Sequence, residues 1–266
     1  MAISKKVTDR IITQLKKYQA ILSSAKDRDI SESDTVVIIG DMLADVLGYK
    51  KYTEITTEFA IRGTYVDLAV KVDGNVRFLI EAKAIGVTLK DSHVKQAIDY
   101  GANHGIEWVV LTNGVDWQVF KIYFRQPIDK SLIFEADVLQ TNPRNAQFLE
   151  CFGNLSREGF THSSMTAFFQ QQQATSKYSL AAMLISEPML HALKKEIRKV
   201  STNVKVEEDF LKSVLQNEVL KRELVEGEEA KQASEFLKKC LKSAAKLKQK
   251  IEPKIPPDLS IPQSNN

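Results

Sequence analysis

Asp67, Glu81 and Lys83 are the residues of this 266-residue chain whose types and spacing could do chemistry. They sit in the stretch 65–83, YVDLAVKVDGNVRFLIEAK, where strand formers surround each charge. Side chains two apart on a strand share a face, so Glu81 and Lys83 lie on one side of a sheet. Charges on so apolar a strand are either paired or used.

The Gly-containing turn makes the stretch a hairpin, and its register is tested by the pairs it produces. A two-residue loop, Asp73-Gly74, sets Val70 opposite Arg77 and Lys71 opposite Val76, which mixes polar and apolar on both faces. A three-residue loop, Asp73-Gly74-Asn75, pairs Val72 with Val76, Val70 with Phe78, Leu68 with Ile80 and Val66 with Ala82, all apolar. The three-residue loop is the expected one. It brings Asp67 directly across from Glu81, with Cβ atoms about 4.5–5.5 Å apart. Two carboxylates so placed need a cation. Mg2+, with Mn2+ expected to substitute, takes one or two carboxylates together with water and phosphate oxygens. Lys83 alongside could steady an oxyanion or a water, and the set suits metal-assisted phosphodiester hydrolysis. A plain Glu81–Lys83 ion pair on an edge strand, with Asp67 solvated, remains open as the other reading.

The elements that must position these residues follow from periodicity. Val7, Ile11, Leu15, Tyr18 and Leu22 predict an amphipathic helix over 5–24. Ser31 or Ser33 caps a second helix that runs to about Leu47, and Gly48 stops it. Strands are expected at 55–61, 65–72 and 76–84, then a helix from Leu89 to Asn103, then the strands WVVLT and WQVFKIY around an NGVD turn. The order α-α-β-β-β-α-β-β gives an α/β domain on a mixed sheet flanked by helices, over residues 1–125. Residues 126–251 read as a mostly α-helical region, with Asn142 as cap and Pro143 as first residue of a short helix, and FFQQQQATS as a loop or fraying helix. Residues 252–266 read as a disordered tail.

Composition narrows the function classes. Two cysteines, Cys151 and Cys240, argue against a disulfide framework or a zinc site. No apolar run is long enough for a membrane span, and the N-terminus lacks a signal-peptide core, so a cytoplasmic protein is expected. A net charge of +3 permits nucleic-acid binding without arguing for it. The segment 238–250 holds six lysines and no acid, a solvated helix face or a phosphate contact. Trp108 and Trp117 are expected in the core, and His93 and His104 in solvated or capping roles.

Strand-Asp, hairpin, strand-Glu-x-Lys, then helix resembles the PD-(D/E)xK nuclease superfamily. SESDTVVIIGDMLADVLGY, YVDLAV, FLIEAKAIG, QAIDY and EWVVLTNGVDWQVF together resemble the N-terminal nuclease domain of type I restriction enzyme R subunits, over residues 30–125. The resemblance implies a restriction-endonuclease-like fold, with Asp67 and Glu81 as metal-binding acids and Lys83 as catalytic lysine. It also implies that Gln96 and Tyr100 are the Q-x-x-x-Y pair that could contact a DNA backbone. An acid on the helix before the sheet is implied too: Glu32, with Asp34 and Asp41 as rivals. Val66 stands where the motif's Pro would be. No GxxxxGK[ST] run occurs, so a stand-alone protein without the ATPase motor is expected. The expected function is Mg2+-dependent DNA cleavage in defence against foreign DNA. The rivals are a DNA-binding or complex-forming subunit that keeps the fold, and an interaction protein whose helical region assembles homo-oligomers.

Overall fold

The computed structural model describes residues 3–61, 64–124, 127–162, 164–200 and 205–251, without the side chains of 61, 64, 164 and 244–251. The apolar stripe read at the N-terminus forms helix α1 (Lys5–Asp27), and α2 (Glu32–Asp45) follows. Each starts on a serine hydroxyl that takes an otherwise orphan backbone N–H: Ser4 from Val7 and Ser31 from Asp34. Gly48 ends the second helical segment at φ +83°, where the Arg10 guanidinium packs on it and leaves no room for a Cβ.

Six strands form one mixed sheet in chain order: β1 (Ile55–Ile61), β2 (Thr64–Val72), β3 (Asn75–Ala82), β4 (Trp108–Thr112), β5 (Asp116–Tyr123) and β6 (Asp129–Asp137). All neighbours are antiparallel except β3 and β4, which are parallel and joined through helix α3 (Asp91–His104). A parallel pair needs such a crossover, and α3 covers one face with it. Val94, Ala97 and Ile98 of α3 pack on Ala69, Leu79, Val109, Leu111 and Phe120. The other face carries Leu68, Val70, Phe78, Ile80, Val110 and Trp117 against α1, α2 and α4 (Ala146–Leu155). Trp108 and Trp117 are both core residues, 4% and 0% exposed.

Strand β6 has no place in the sequence reading. Its pairing shifts between Val119 and Phe120, with Val119 opposite Phe134 and Phe120 opposite Leu132, so Ile133 is an extra residue that breaks the alternation of LIF. The compact first unit runs from Met1 to Phe169 and takes in β6, α4 and α5 (Arg157–Thr161). Helix α4 is capped by Asn145, whose side chain accepts from Phe148 N–H; Asn142 instead accepts from Arg144 N–H in the turn before it. FFQQQQ is helical, within α6 (Ser164–Ala174).

The second unit begins at Gln170 and is helical in its described residues. It holds α7 (Lys177–Leu184), α8 (Glu187–Val200), α9 (Glu208–Val214) running into a π-helical turn at Leu215–Val219, α10 (Arg222–Val225) and α11 (Glu228–Ile251). A small core joins Leu190, Val206 and Leu211, with Ile197 and Leu215 against it. The lysine-rich segment lies on α11, and the tail 252–266 lies outside the described residues. Among the described residues no helix is long and apolar enough to cross a membrane.

Candidate active site

The β2–β3 hairpin settles the register in an unexpected way. Lys71 pairs with Val76 and Val72 with Asn75, so the loop is the two-residue Asp73-Gly74, with φ +52° and +77°. That corrects the three-residue expectation. Such a two-residue turn twists in the same sense as its strands. Farther along, Leu68 pairs with Ile80, Ala69 with Leu79 and Val70 with Phe78, which is the apolar register expected for the site. The two halves are reconciled by a bulge between Val70 and Lys71, where Arg77 is the unmatched residue on β3. The tip obeys local turn preference and the strand body obeys burial.

Continued one step beyond the Leu68–Ile80 pair, the register sets Asp67 across from Glu81. Oδ2 of Asp67 accepts a hydrogen bond from the N–H of Ala82 at 2.7 Å. Glu81 is buried, 7% exposed. The Lys83 ammonium donates to Oε1 of Glu81 and to the carbonyl of Ala82, each at 2.7 Å. Lys83 is fixed by its own N–H, which donates to Thr112 O at the end of β4 (2.9 Å). Glu32, the first residue of α2, brings Oε2 to 3.8 Å from the same ammonium. Its rivals are engaged elsewhere: Asp34 accepts from the Ser31 hydroxyl, and Asp41 pairs with Lys51.

The electrostatics follow from three acids around one ammonium. Burial raises the Asp67 carboxyl above its ordinary value, against the pull of the Ala82 N–H and of Lys83, and the charges of Glu32 and Glu58 add to the rise. Burial likewise raises Glu81, opposed by the Lys83 hydrogen bond and reinforced by the charge of Asp67. Burial alone would lower Lys83, but the bond to Glu81 and the surrounding carboxylates hold it above its ordinary value. The site therefore favours one more positive charge.

Glu58 is a neighbour that the sequence reading missed. In register it falls between the pairs Thr57–Leu68 and Phe59–Val66, across β1 from Asp67, and it adopts φ +46°. A non-glycine residue in that region is strained, and such strain concentrates at functional sites. The only sequence signal was the β1–β2 register, for which Gly63 between the strands is the one turn-type residue.

The Q-x-x-x-Y pair is split by the fold. Gln96 is exposed and donates to Tyr65 O at 3.1 Å. Tyr100 is 5% exposed, packed in the α3 core beside His104, and its hydroxyl has no hydrogen-bond partner. Spacing of four gave the two residues one helix face, and that face is half buried by the sheet. His93 and His104 take local roles: Lys90 N–H donates to His93 Nδ1, and His104 Nδ1 bonds Tyr100 O. Arg62, which flanks the site in sequence, lies outside the described residues.

A hard divalent cation fits this donor set in chemistry. Asp67, Glu81 and the Ala82 carbonyl are all oxygen donors, and the Lys83 ammonium already rests between two of them as a cation. Among the described residues no group of three or more His, Cys, Asp or Glu side chains is arranged to hold a metal ion. The candidate is thus a two-carboxylate site.

No curated protein and no solved structure gives a match to the chain. Glu32 precedes the segment that a family model covers, whereas Asp67, Glu81, Lys83, Gln96 and Tyr100 all fall within it. Residues 39–130, which carry the hairpin, the Glu-x-Lys strand and α3, match the family of the type I restriction enzyme R protein N terminus.

Proposed function

We propose that this protein is a metal-dependent DNA endonuclease of the restriction-endonuclease-like type, acting in the cytoplasm against foreign DNA. The observation that supports it most is the meeting of Asp67, Glu81 and Lys83 at one end of the β2–β3 hairpin, inside a segment that resembles the R protein N terminus. Asp67 and Glu81 would hold Mg2+ or Mn2+ with the Ala82 carbonyl. When bound, the ion supplies a Lewis acid and a more acidic water. Lys83 then exchanges Glu81 for a phosphate oxygen or the attacking water, an exchange its three mobile donors allow. Glu32 faces that ammonium from α2 and keeps it protonated. Gln96, exposed on α3, would donate to a DNA backbone; the buried Tyr100 steadies the helix that carries it.

The test is nicking of supercoiled plasmid by the whole chain in Mg2+, Mn2+ or EDTA, beside Glu81→Gln. Metal-dependent nicking that Glu81→Gln loses is expected. Absence of nicking in both metals, with DNA binding kept, would favour a second reading, a DNA-binding or complex-forming subunit. One observation speaks for that second reading: the Lys83 ammonium already occupies Glu81 and Ala82 O.

A further inference from the structure

A second site lies at the other end of the same strand. A cavity of about 220 Å³ opens where β3 begins and β4 begins, with Arg77, Ile106, Trp108, Phe160, Met165 and Thr166 on its walls. Arg77 is four residues from Glu81, about 13 Å along an extended strand, so the cavity is separate from the acidic site. Arg77 is the extra residue of the β3 bulge. Bulges re-aim side chains, and this one leaves Arg77 Nε buried with no hydrogen-bond partner.

The acid on the wall does not answer that donor. Glu107 is ion-paired with Lys121, whose ammonium also sits 4.6 Å from the centre of the Trp108 ring. With Glu107 paired to Lys121, no acid on the wall is left to meet Arg77, whose Nε is buried without an acceptor while the rest of the side chain is half-buried. A buried, unpaired charged donor is costly, and an acceptor that reaches it recovers the cost. Ile106, Trp108, Phe160 and Met165 give the cavity its apolar part, beside the polar Thr166 and the backbone at Gly105. Phe160 stacks on Phe78 at 5.2 Å, and Trp108 is braced edge-on by Phe169 at 5.9 Å. A cavity of about 150 Å³ with apolar walls is enough for benzene, so this one has room for a single ring with a charged group.

We propose that this cavity binds a small planar monoanion, a single-ring carboxylate whose ring lies among Trp108, Phe160 and Met165 and whose carboxylate meets Arg77. The proposal stands apart from phosphodiester cleavage and does not depend on it.

Benzoate is the probe, with benzyl alcohol as its neutral counterpart, titrated into the whole chain by ligand-observed NMR. So small a ligand should bind with Kd in about the millimolar range. Arg77→Met keeps an apolar stem and removes the charge. Thr166→Trp fills the mouth from an exposed helix position. Each should weaken saturable one-to-one benzoate binding at least about tenfold, because a charge-assisted bond or the ring's space is lost. Circular dichroism identifies folded variants, and if Arg77→Met unfolds, Thr166→Trp decides. Absence of saturation in the wild type, equal affinity for benzyl alcohol, or a folded variant with wild-type Kd would overturn the assignment.

Discussion

The Lys83 ammonium rests 2.7 Å from Oε1 of Glu81, two residues upstream, and closes the same distance to the carbonyl of Ala82 between them. It occupies the donors that a divalent cation would use. Lys83→Gln should therefore separate two roles. Cleavage should fall at least about a hundredfold if the lysine acts on the reacting phosphate. Mn2+ affinity, read by paramagnetic resonance, should hold or improve, because a competing cation is gone. Unchanged cleavage would reduce Lys83 to a structural ion pair.

Asp67→Asn is nearly isosteric, and its side-chain carbonyl can still accept from Ala82 N–H. It removes a hard anionic donor. Plasmid nicking should drop at least about a hundredfold, since a bound ion supplies several kcal/mol of transition-state stabilisation. DNA affinity in EDTA, measured by gel shift, should hold or tighten because a negative charge facing phosphate is lost. Nicking within threefold of the wild type would remove Asp67 from the site.

The same substitution reads the pH dependence of stability. The folded pKa of Asp67 lies above its ordinary 3.8, chiefly through burial. The folded state then binds the proton more tightly than the unfolded chain does. That contribution is complete below 3.8 and is lost as pH rises through the folded value. Asn cannot ionise, so Asp67→Asn should melt higher than the wild type at pH 7, with the gain shrinking as pH falls towards 4. Thermal melts across that range check it. A lower Tm at pH 7 would mean that Ala82 N–H and Lys83 outweigh the burial of the charge.

Arg157 holds a buried acid at the seam between α5 and the hairpin side of the core. Its Nε lies 2.8 and 2.9 Å from the two oxygens of Glu54, which also accepts from Lys50 N–H at 2.9 Å. Glu54 is 7% exposed. Arg157→Ala should cost about 3 kcal/mol by leaving that carboxylate unpaired. Adding Glu54→Gln should return part of the loss, the signature of a coupled pair. Urea unfolding of the single and double variants measures both, and a loss below about 1 kcal/mol would class the pair with exposed ones.

The sequence by itself determined the elements with clean periodicity and which charged residues meet at the candidate site. Val7, Ile11, Leu15, Tyr18 and Leu22 could only make a buried helical stripe, and they do. The all-apolar pairing of Leu68 with Ile80 and Val70 with Phe78 was legible because a slip would expose every one of those side chains. That pairing carried Asp67 and Glu81 together. What only the tertiary structure decided are features with no period of their own. The bulge at Arg77 lets a two-residue turn coexist with the apolar register, and a one-residue insertion is invisible to a period-two count. Strand β6 was hidden for the same reason, its alternation broken at Ile133. That Glu32, rather than Asp34 or Asp41, comes near Lys83 depends on the packing of α2 on the sheet. Tyr100 turned inward because helix spacing fixes which residues share a face, while the sheet beneath decides which part of that face sees water.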